Sequence, residues 1–301
     1  MSHGEMSHGE PIHGERAQGE VPLMDFTGFY ARTTPLLGVL GMERLHQAKI
    51  AVAGCGGVGG AHAITMARLG VGRFHLADPG VFDPPDMNRQ WAATGETMDR
   101  NKAKVYKETL RSINPAAEIE VFAEGVQPDN HGRFLEGANI LLDCLDVSVP
   151  LEQRAALYAQ AHEQGIFVIT SPIIGFGCLV AASRPGDVGM EDFVSIFSYL
   201  LDHGTFPPGF HQIFVPHHLG LVEEGMASGK IPSLALAPLI ATSLVATECL
   251  AFLLEGLEVA SREPVTLPRM IAFDLMRLSY TVVHAGELLN TGGIKEGAEL
   301  R

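Results

Sequence analysis

Basic residues are scarce in this chain of 301 residues: Lys and Arg total 21 against 35 Asp and Glu, a formal net charge of −14. Such a charge argues against non-specific nucleic-acid binding, which needs a basic face, and leaves a local basic patch open. Cysteine is scarce too. Cys55, Cys144, Cys178 and Cys249 are scattered, with no C-x-x-C pair. That pattern offers neither a cysteine-based zinc site nor a secreted disulfide framework, and it fits a reducing cytoplasm. The polar N-terminus lacks the apolar run of a signal peptide. The most apolar stretch, 231–254, is interrupted by Pro232, Pro238 and Glu248. It reads as a buried core helix and not as a membrane span. With 46% hydrophobic residues, the chain can bury one large core or two smaller ones.

What is present alternates. Strands are expected at 49–53, 73–77, 119–123, 140–144 and 167–170, with helices at 61–69, 101–112 and 150–164 between them. One or two helical segments are expected between 26 and 47. Alternation of this kind predicts an α/β fold, a Rossmann-like doubly wound sheet that is mostly parallel. A further strand at 178–182, a long helix at 233–254 and two closing strands at 270–274 and 278–283 would extend it in antiparallel fashion. The domain organisation follows. Residues 1–25, with their repeated His-Gly-Glu units, form a disordered tail whose His3, His8 and His13 are not read as ligands. Residues 26–183 form a nucleotide-binding part, and 184–232 a long loop or cover rich in Pro, Gly and His, with only a short helix-like run near 193–201. Residues 233–301 supply the last helix and closing strands of the same domain, loose from Asn290 on.

The richest feature is Lys49-Ile-Ala-Val-Ala-Gly54-Cys-Gly56-Gly57-Val-Gly59-Gly60, a buried strand entering a glycine turn that opens a helix. Backbone N–H groups of such a turn can approach a phosphate, with the positive end of the helix dipole behind them. The second strand ends in Asp78, 19 residues beyond Gly59, where a dinucleotide fold places an acid against ribose hydroxyls. These two features allow NAD and ATP equally. The next segments decide. Asp83, Asp86, Asn88-Arg89-Gln90, Lys102 and Asp143-Cys-Leu-Asp146 put strong cations and anions after successive strands. Hydride transfer needs no pair of cations on its cofactor phosphates, whereas adenylation builds charge on the phosphoryl oxygens and leaving pyrophosphate.

Taken together, Gly54-x-Gly-Gly-x-Gly59, Asp78, Asn88-Arg89-Gln90, Lys102 within Arg-Asn-Lys-Ala and Asp143-Cys-x-Asp146 resemble the ThiF-type adenylyltransferases, the superfamily of the ubiquitin-activating enzymes and the bacterial activators of sulfur-carrier proteins. The resemblance covers roughly residues 26–285. It implies that Gly54, Gly56, Gly57 and Gly59 hold ATP, that Asp78 binds ribose, and that Arg89 and Lys102 contact the phosphates. It also implies that Asp146 positions Mg²⁺, that Gln90 is a supporting contact, and that Arg32 reaches into the site of a second subunit of a homodimer. The implied reaction is activation of a carboxylate, the C-terminus of a small ubiquitin-like or sulfur-carrier protein or a peptide, in the cytoplasm. The chain matches a zinc-free branch.

It also departs from the family pattern. Asp86 stands where Asn is usual, Val147 follows the last Asp in place of Asn, and a helical Arg is displaced to Arg154. No cysteine falls in 184–232, so adenylation is better supported than a thioester step. Competing readings stay open. The glycines could serve packing alone, Asp78 and Asp146 could be caps, and Arg89, Lys102 and Arg32 could be solvated charges. All four cysteines could be buried fillers. His211, His217 and His218, with Glu223 and Glu224, could bind a metal or contact a partner. Rival functions are activation of a small-molecule or tRNA-borne carboxylate for dehydration or cyclisation, a non-catalytic nucleotide-binding protein, and an NAD-dependent dehydrogenase.

Overall fold

The computed structural model describes residues 28–187 and 190–289. The tail expected at 1–25 and the end expected to be loose from Asn290 lie outside the described residues. The first half runs α1 (Thr34–Gln47), β1 (Lys49–Ala53), α2 (Gly57–Leu69), β2 (Arg73–Ala77), α3 (Lys102–Ile113), β3 (Glu118–Phe122), α4 (His131–Leu135), β4 (Ile140–Asp143), α5 (Leu151–Glu163) and β5 (Phe167–Thr170). Then follow β6 (Ile173–Ile174), β7 (Gly177–Ser183), α6 (Met190–His203), α7 (Phe210–Ile213), α8 (Pro216–Ser228), α9 (Leu236–Leu253), β8 (Arg269–Asp274), β9 (Ser279–His284) and α10 (Ala285–Leu289).

The described strands form one nine-stranded sheet in the order β3-β2-β1-β4-β5-β7-β8-β9, with β6 on β7. The first five pair in parallel and the rest antiparallel, as the sequence predicts. Both faces of the central strands are covered, which is why β1, β4 and β5 are apolar runs with no polar face. Along β1, Ile50 and Val52 enter one core with Met66, Leu142 and Val245, while Ala51 and Ala53 enter another with Phe134, Leu157 and Val168. α2 stops at Gly70, whose φ of 104° closes the helix in the left-handed region.

One expectation fails. Residues 184–232 are not a long irregular loop: the short helical run expected near 193–201 is part of the longer α6, and α7 and α8 follow it. Phe193, Ile196, Leu200, Phe210, Leu219 and Val222 pack with Leu179, Met270 and Val283 of the antiparallel strands. The Pro and Gly that suggest a loop are helix punctuation. Pro216 begins α8, where a missing N–H costs nothing, and Gly229 ends it at φ 71°.

α9 is the one helix among the described residues that is long and apolar enough to cross a membrane. Here it packs between α2 and β7. Its fully buried Glu248 accepts hydrogen bonds from both terminal nitrogens of Arg262 and from the Val265 N–H at 2.7 Å.

α9 is also tied to α2 through His62. The imidazole Nδ1 lies 2.8 Å from Thr242 Oγ1, and Nε2 lies 3.0 Å from Ser171 Oγ. Burial pushes its pKa down from 6.5 to about 3. Between those values the unfolded chain binds a proton that the native chain does not, so this group makes stability fall as pH drops from 6.5 towards 3. The slope approaches about 1.4 kcal/mol per pH unit. In urea unfolding at pH 7 and pH 4.5, His62→Gln is expected to lose about 2 kcal/mol less than the unsubstituted chain on acidification. Equal acid losses would refute the buried neutral imidazole.

Candidate nucleotide site

The glycine turn leaves β1 beside β4, where the sheet order reverses and an open α/β sheet has its crevice. Gly54 sits at φ 92°, and a Cβ there would meet the Cys144 carbonyl oxygen at 2.4 Å. Its N–H donates to Ala77 O at 2.8 Å. Gly54 and Gly59 are therefore required by packing. Gly56 is different. A Cβ on it would find nothing nearer than Gln90 Nε2 at 3.9 Å. No side chain caps α2 at Gly56, so the first-turn amides of that helix have no capping acceptor. Close by, Gln90 Oε1 is buried with no partner among the described residues. An open glycine, uncapped amides and an orphaned buried oxygen together fit a polar ligand such as the phosphates and ribose of ATP.

Three more residues expected from the sequence, Asp78, Arg89 and Lys102, gather on this turn. Asp78 follows β2: its Oδ2 accepts the Cys55 N–H and its Oδ1 the Gly80 N–H, both at 2.7 Å. The capping alternative for Asp78 is thus realised, and each oxygen keeps a lone pair for a further donor. Arg89 lays its stem on the turn, since a Cβ at Gly57 would be 3.2 Å from Arg89 Cγ. Its guanidinium donates to Pro85 O at 3.1 Å and Asn88 Oδ1 at 2.9 Å. Lys102 opens α3 and is brought in through its own N–H, which donates to Gly80 O at 2.9 Å. Asn101 caps the same helix and donates from Nδ2 to Asp78 O at 2.9 Å.

The centre of this group is a residue the sequence marks only as unusual. Asp86 is 4% exposed. Its Oδ2 meets Lys102 Nζ at 2.9 Å and accepts the Asp83 N–H at 3.2 Å. Its Oδ1 accepts from Gln90 Nε2 and lies 3.6 Å from Arg89 Nη2. Burial alone would raise its pKa. The Lys102 ammonium and the Asp83 N–H reverse that and hold it below the ordinary carboxylate range.

Asp146 lies in the segment after β4 that borders the turn. It is exposed, and its Oδ1 accepts the Ser148 N–H at 2.9 Å within the loop; it does not cap α5, whose N-cap is Pro150 with no side-chain cap. A carboxylate of this kind suits Mg²⁺, a hard cation that takes one or two protein carboxylates plus phosphate oxygens and water. Arg154 holds the segment. It pairs with buried Asp143 at 3.2 Å and donates to Leu145 O at 3.1 Å and Asp146 O at 3.0 Å. Tyr158 donates to the same Asp143 carboxylate. The sequence displays Arg154 only as a displaced arginine. Its bracing role needs the fold to be seen; Asn101, expected inside the helix at 101–112, is the N-cap of α3, and an Asn ahead of an amphipathic run is the signal that would have shown it.

Arg32 does not join this group. It is exposed on the turn before α1, and the neighbouring Tyr30 hydroxyl donates to Ala67 O at 3.3 Å, at the far end of α2. At 1.5 Å per residue the 13 residues of α2 hold that end roughly 20 Å from the glycine turn. Among the described residues no group of three or more His, Cys, Asp or Glu could hold a metal ion, so the metal alternative for His211, His217 and His218 is not borne out. His218 instead lies against Phe176, ring centroids 4.9 Å apart, and Glu223 accepts the Phe206 N–H. Burial raises the pKa of all four thiols, that of Cys178 to about 12, so none is a ready thiolate nucleophile.

The model of the ThiF family matches residues 30–291. Among curated proteins, the heterocyst HesA protein of Trichormus variabilis is 37% identical over 110 residues, 36% of this chain and 41% of that protein. The tRNA threonylcarbamoyladenosine dehydratase of Escherichia coli is 32% identical over 143 residues, 47% of this chain and 52% of that protein. The chain thus spans about half, or less, of the length of these curated relatives. Among solved structures, PaaA superposes with a TM-score of 0.67 at 16% identity, over 89% of this chain and 85% of PaaA. E. coli MccB, crystallised with succinimide, superposes with a TM-score of 0.62 at 17% identity, over 82% of this chain and 66% of MccB. At those identities the structural likeness establishes the fold.

Proposed function

The chain belongs to the ThiF family, and on that premise we propose that it is an ATP-dependent adenylyltransferase that activates a carboxylate. The substrate carboxylate attacks the α-phosphorus of ATP, an acyl-adenylate forms, and pyrophosphate leaves. In this reading the open turn at Gly56 and the first amides of α2 receive phosphate oxygens, with Gly54, Gly57 and Gly59 shaping the turn. Asp78 accepts from the ribose, and Gln90 uses its orphaned oxygen on the ligand. Arg89 and Lys102 offset charge on the phosphoryl oxygens and the leaving group. Mg²⁺ held by Asp146 would neutralise part of the triphosphate charge when bound. The distance of Arg32 from its own glycine turn supports a contribution to the site of a second copy, in a homodimer. The observation that carries the reading is the meeting of Arg89, Gln90 and Lys102 at one open glycine turn.

The substrate we propose is the C-terminus of a small ubiquitin-like or sulfur-carrier protein, or of a peptide, handled in the cytoplasm. The high pKa of every cysteine thiol favours adenylation without a thioester on this chain. A second reading, a tRNA-borne carboxylate, has one observation in its favour: the 32% identity to the E. coli tRNA-modifying dehydratase. The net charge of −14 weighs against it.

Pyrophosphate exchange into ATP, run with candidate peptides and with tRNA, tests both. Exchange should appear with a carboxylate substrate and fall by at least about a hundredfold in Arg89→Ala. Tight ATP binding with no exchange for any carboxylate would instead mark a non-catalytic nucleotide-binding protein.

A further inference from the structure

We propose that Asp86 makes nucleotide capture dependent on a divalent cation. The inference rests on the adenylyltransferase reading and concerns the same site. Asp86 holds both cations assigned to the phosphates: Lys102 Nζ at 2.9 Å and Arg89 Nη2 at 3.6 Å. The carboxylate cannot swing away. It is buried, its Oδ2 also accepts the Asp83 N–H that closes the capping box of the 84–88 turn, and its Oδ1 accepts from Gln90. A guanidinium, an ammonium and one fixed carboxylate carry a single net positive charge between them.

A metal-free triphosphate therefore meets a weakened cation pair and a carboxylate it repels. A divalent cation on the phosphates removes the mismatch, because it lowers the nucleotide charge and gives the carboxylate a positive neighbour. Asp86 acts through Lys102 and Arg89, as a positioning residue that sets the charge state of nucleotide the site accepts. A solely structural Asp86 would affect folding and bind metal-free and metal-loaded nucleotide with equal change.

The test is calorimetric titration of the full chain with AMPPNP, in Mg²⁺ and in EDTA. The unsubstituted protein is expected to bind at least about tenfold more tightly in Mg²⁺. Asp86→Asn keeps the acceptor for the Asp83 N–H and removes the charge. It is expected to narrow that ratio about tenfold by tightening the EDTA arm, one unit of charge interaction at about 1.4 kcal/mol. An unchanged ratio in a variant that melts like the unsubstituted protein overturns the proposal, and so does equal weakening of both arms. If Asp86→Asn does not fold, the unsubstituted protein decides: a Mg²⁺ to EDTA ratio below about three overturns the proposal. No AMPPNP binding by the unsubstituted protein in either buffer overturns the adenylyltransferase reading itself, and this inference with it.

Discussion

Lys102→Ala is expected to lower carboxylate-dependent ATP–pyrophosphate exchange by at least about a hundredfold, the usual loss when one preorganised charge-stabilising donor is removed. The backbone around it should stay. The Lys102 N–H bond to Gly80 O and the Asn101 cap do not use the Lys102 side chain. What changes is the charge balance. Asp86 keeps the Asp83 N–H and the Gln90 amide but loses its ammonium partner. Stability should drop by about 1 to 2 kcal/mol, since a hydrogen bond to a charged group is lost from a largely buried carboxylate. Adding Asp86→Asn should restore that stability and leave exchange absent. Exchange in Lys102→Ala within about threefold of the unsubstituted protein would remove Lys102 from the phosphate site and weaken the whole proposal.

A comparable effect, on stability, is expected from Gly59→Ala. A Cβ there would lie 1.9 Å from the Gly54 carbonyl oxygen and 3.0 Å from Cys144 Cβ. The first clash is with backbone, and Gly54 is itself held at φ 92° against Cys144 O, so it has nowhere to retreat. The start of α2 must shift, at a cost of at least about 3 kcal/mol, or a melting point lower by about 6–12 °C. Gly56→Ala is the control. Its Cβ meets only the end of Gln90 at 3.9 Å, so stability should change by less than about 1 kcal/mol. Its ATP affinity should fall at least about tenfold, because the methyl group stands where a phosphate oxygen would approach the backbone. If Gly56→Ala binds ATP normally, the turn serves packing only. If Gly59→Ala melts unchanged, the close approach that defines the turn is wrong.

Much of the fold was legible because its signals are local. Apolar runs of four or five residues, each ending at a turn, announce buried parallel strands, and β1, β2 and β5 begin and end where the pattern does. The antiparallel closing strands were also readable. Of the helices of 184–232 only a short run near 193–201, inside α6, was readable; α7 and α8 were not, because Pro216 and Gly229 read equally as loop residues and as a helix start and stop. Only the apolar bed of Leu179, Met270 and Val283 selects the second meaning. At the site, the glycine turn, Asp78, Arg89, Gln90 and Lys102 were visible as residue types at meaningful spacing.

The sequence by itself determined the parallel sheet, the glycine turn at the end of β1 and the set of charged residues after successive strands, since each depends on neighbours a few positions apart. Tertiary structure alone decided that Asp86 clamps Lys102 and Arg89, that Arg154 braces the Asp146 segment, and that Arg32 stands a helix length from its own glycine turn. Those pairings are set by where crossovers return to the sheet, and a charge selects its partner by distance in space rather than along the chain.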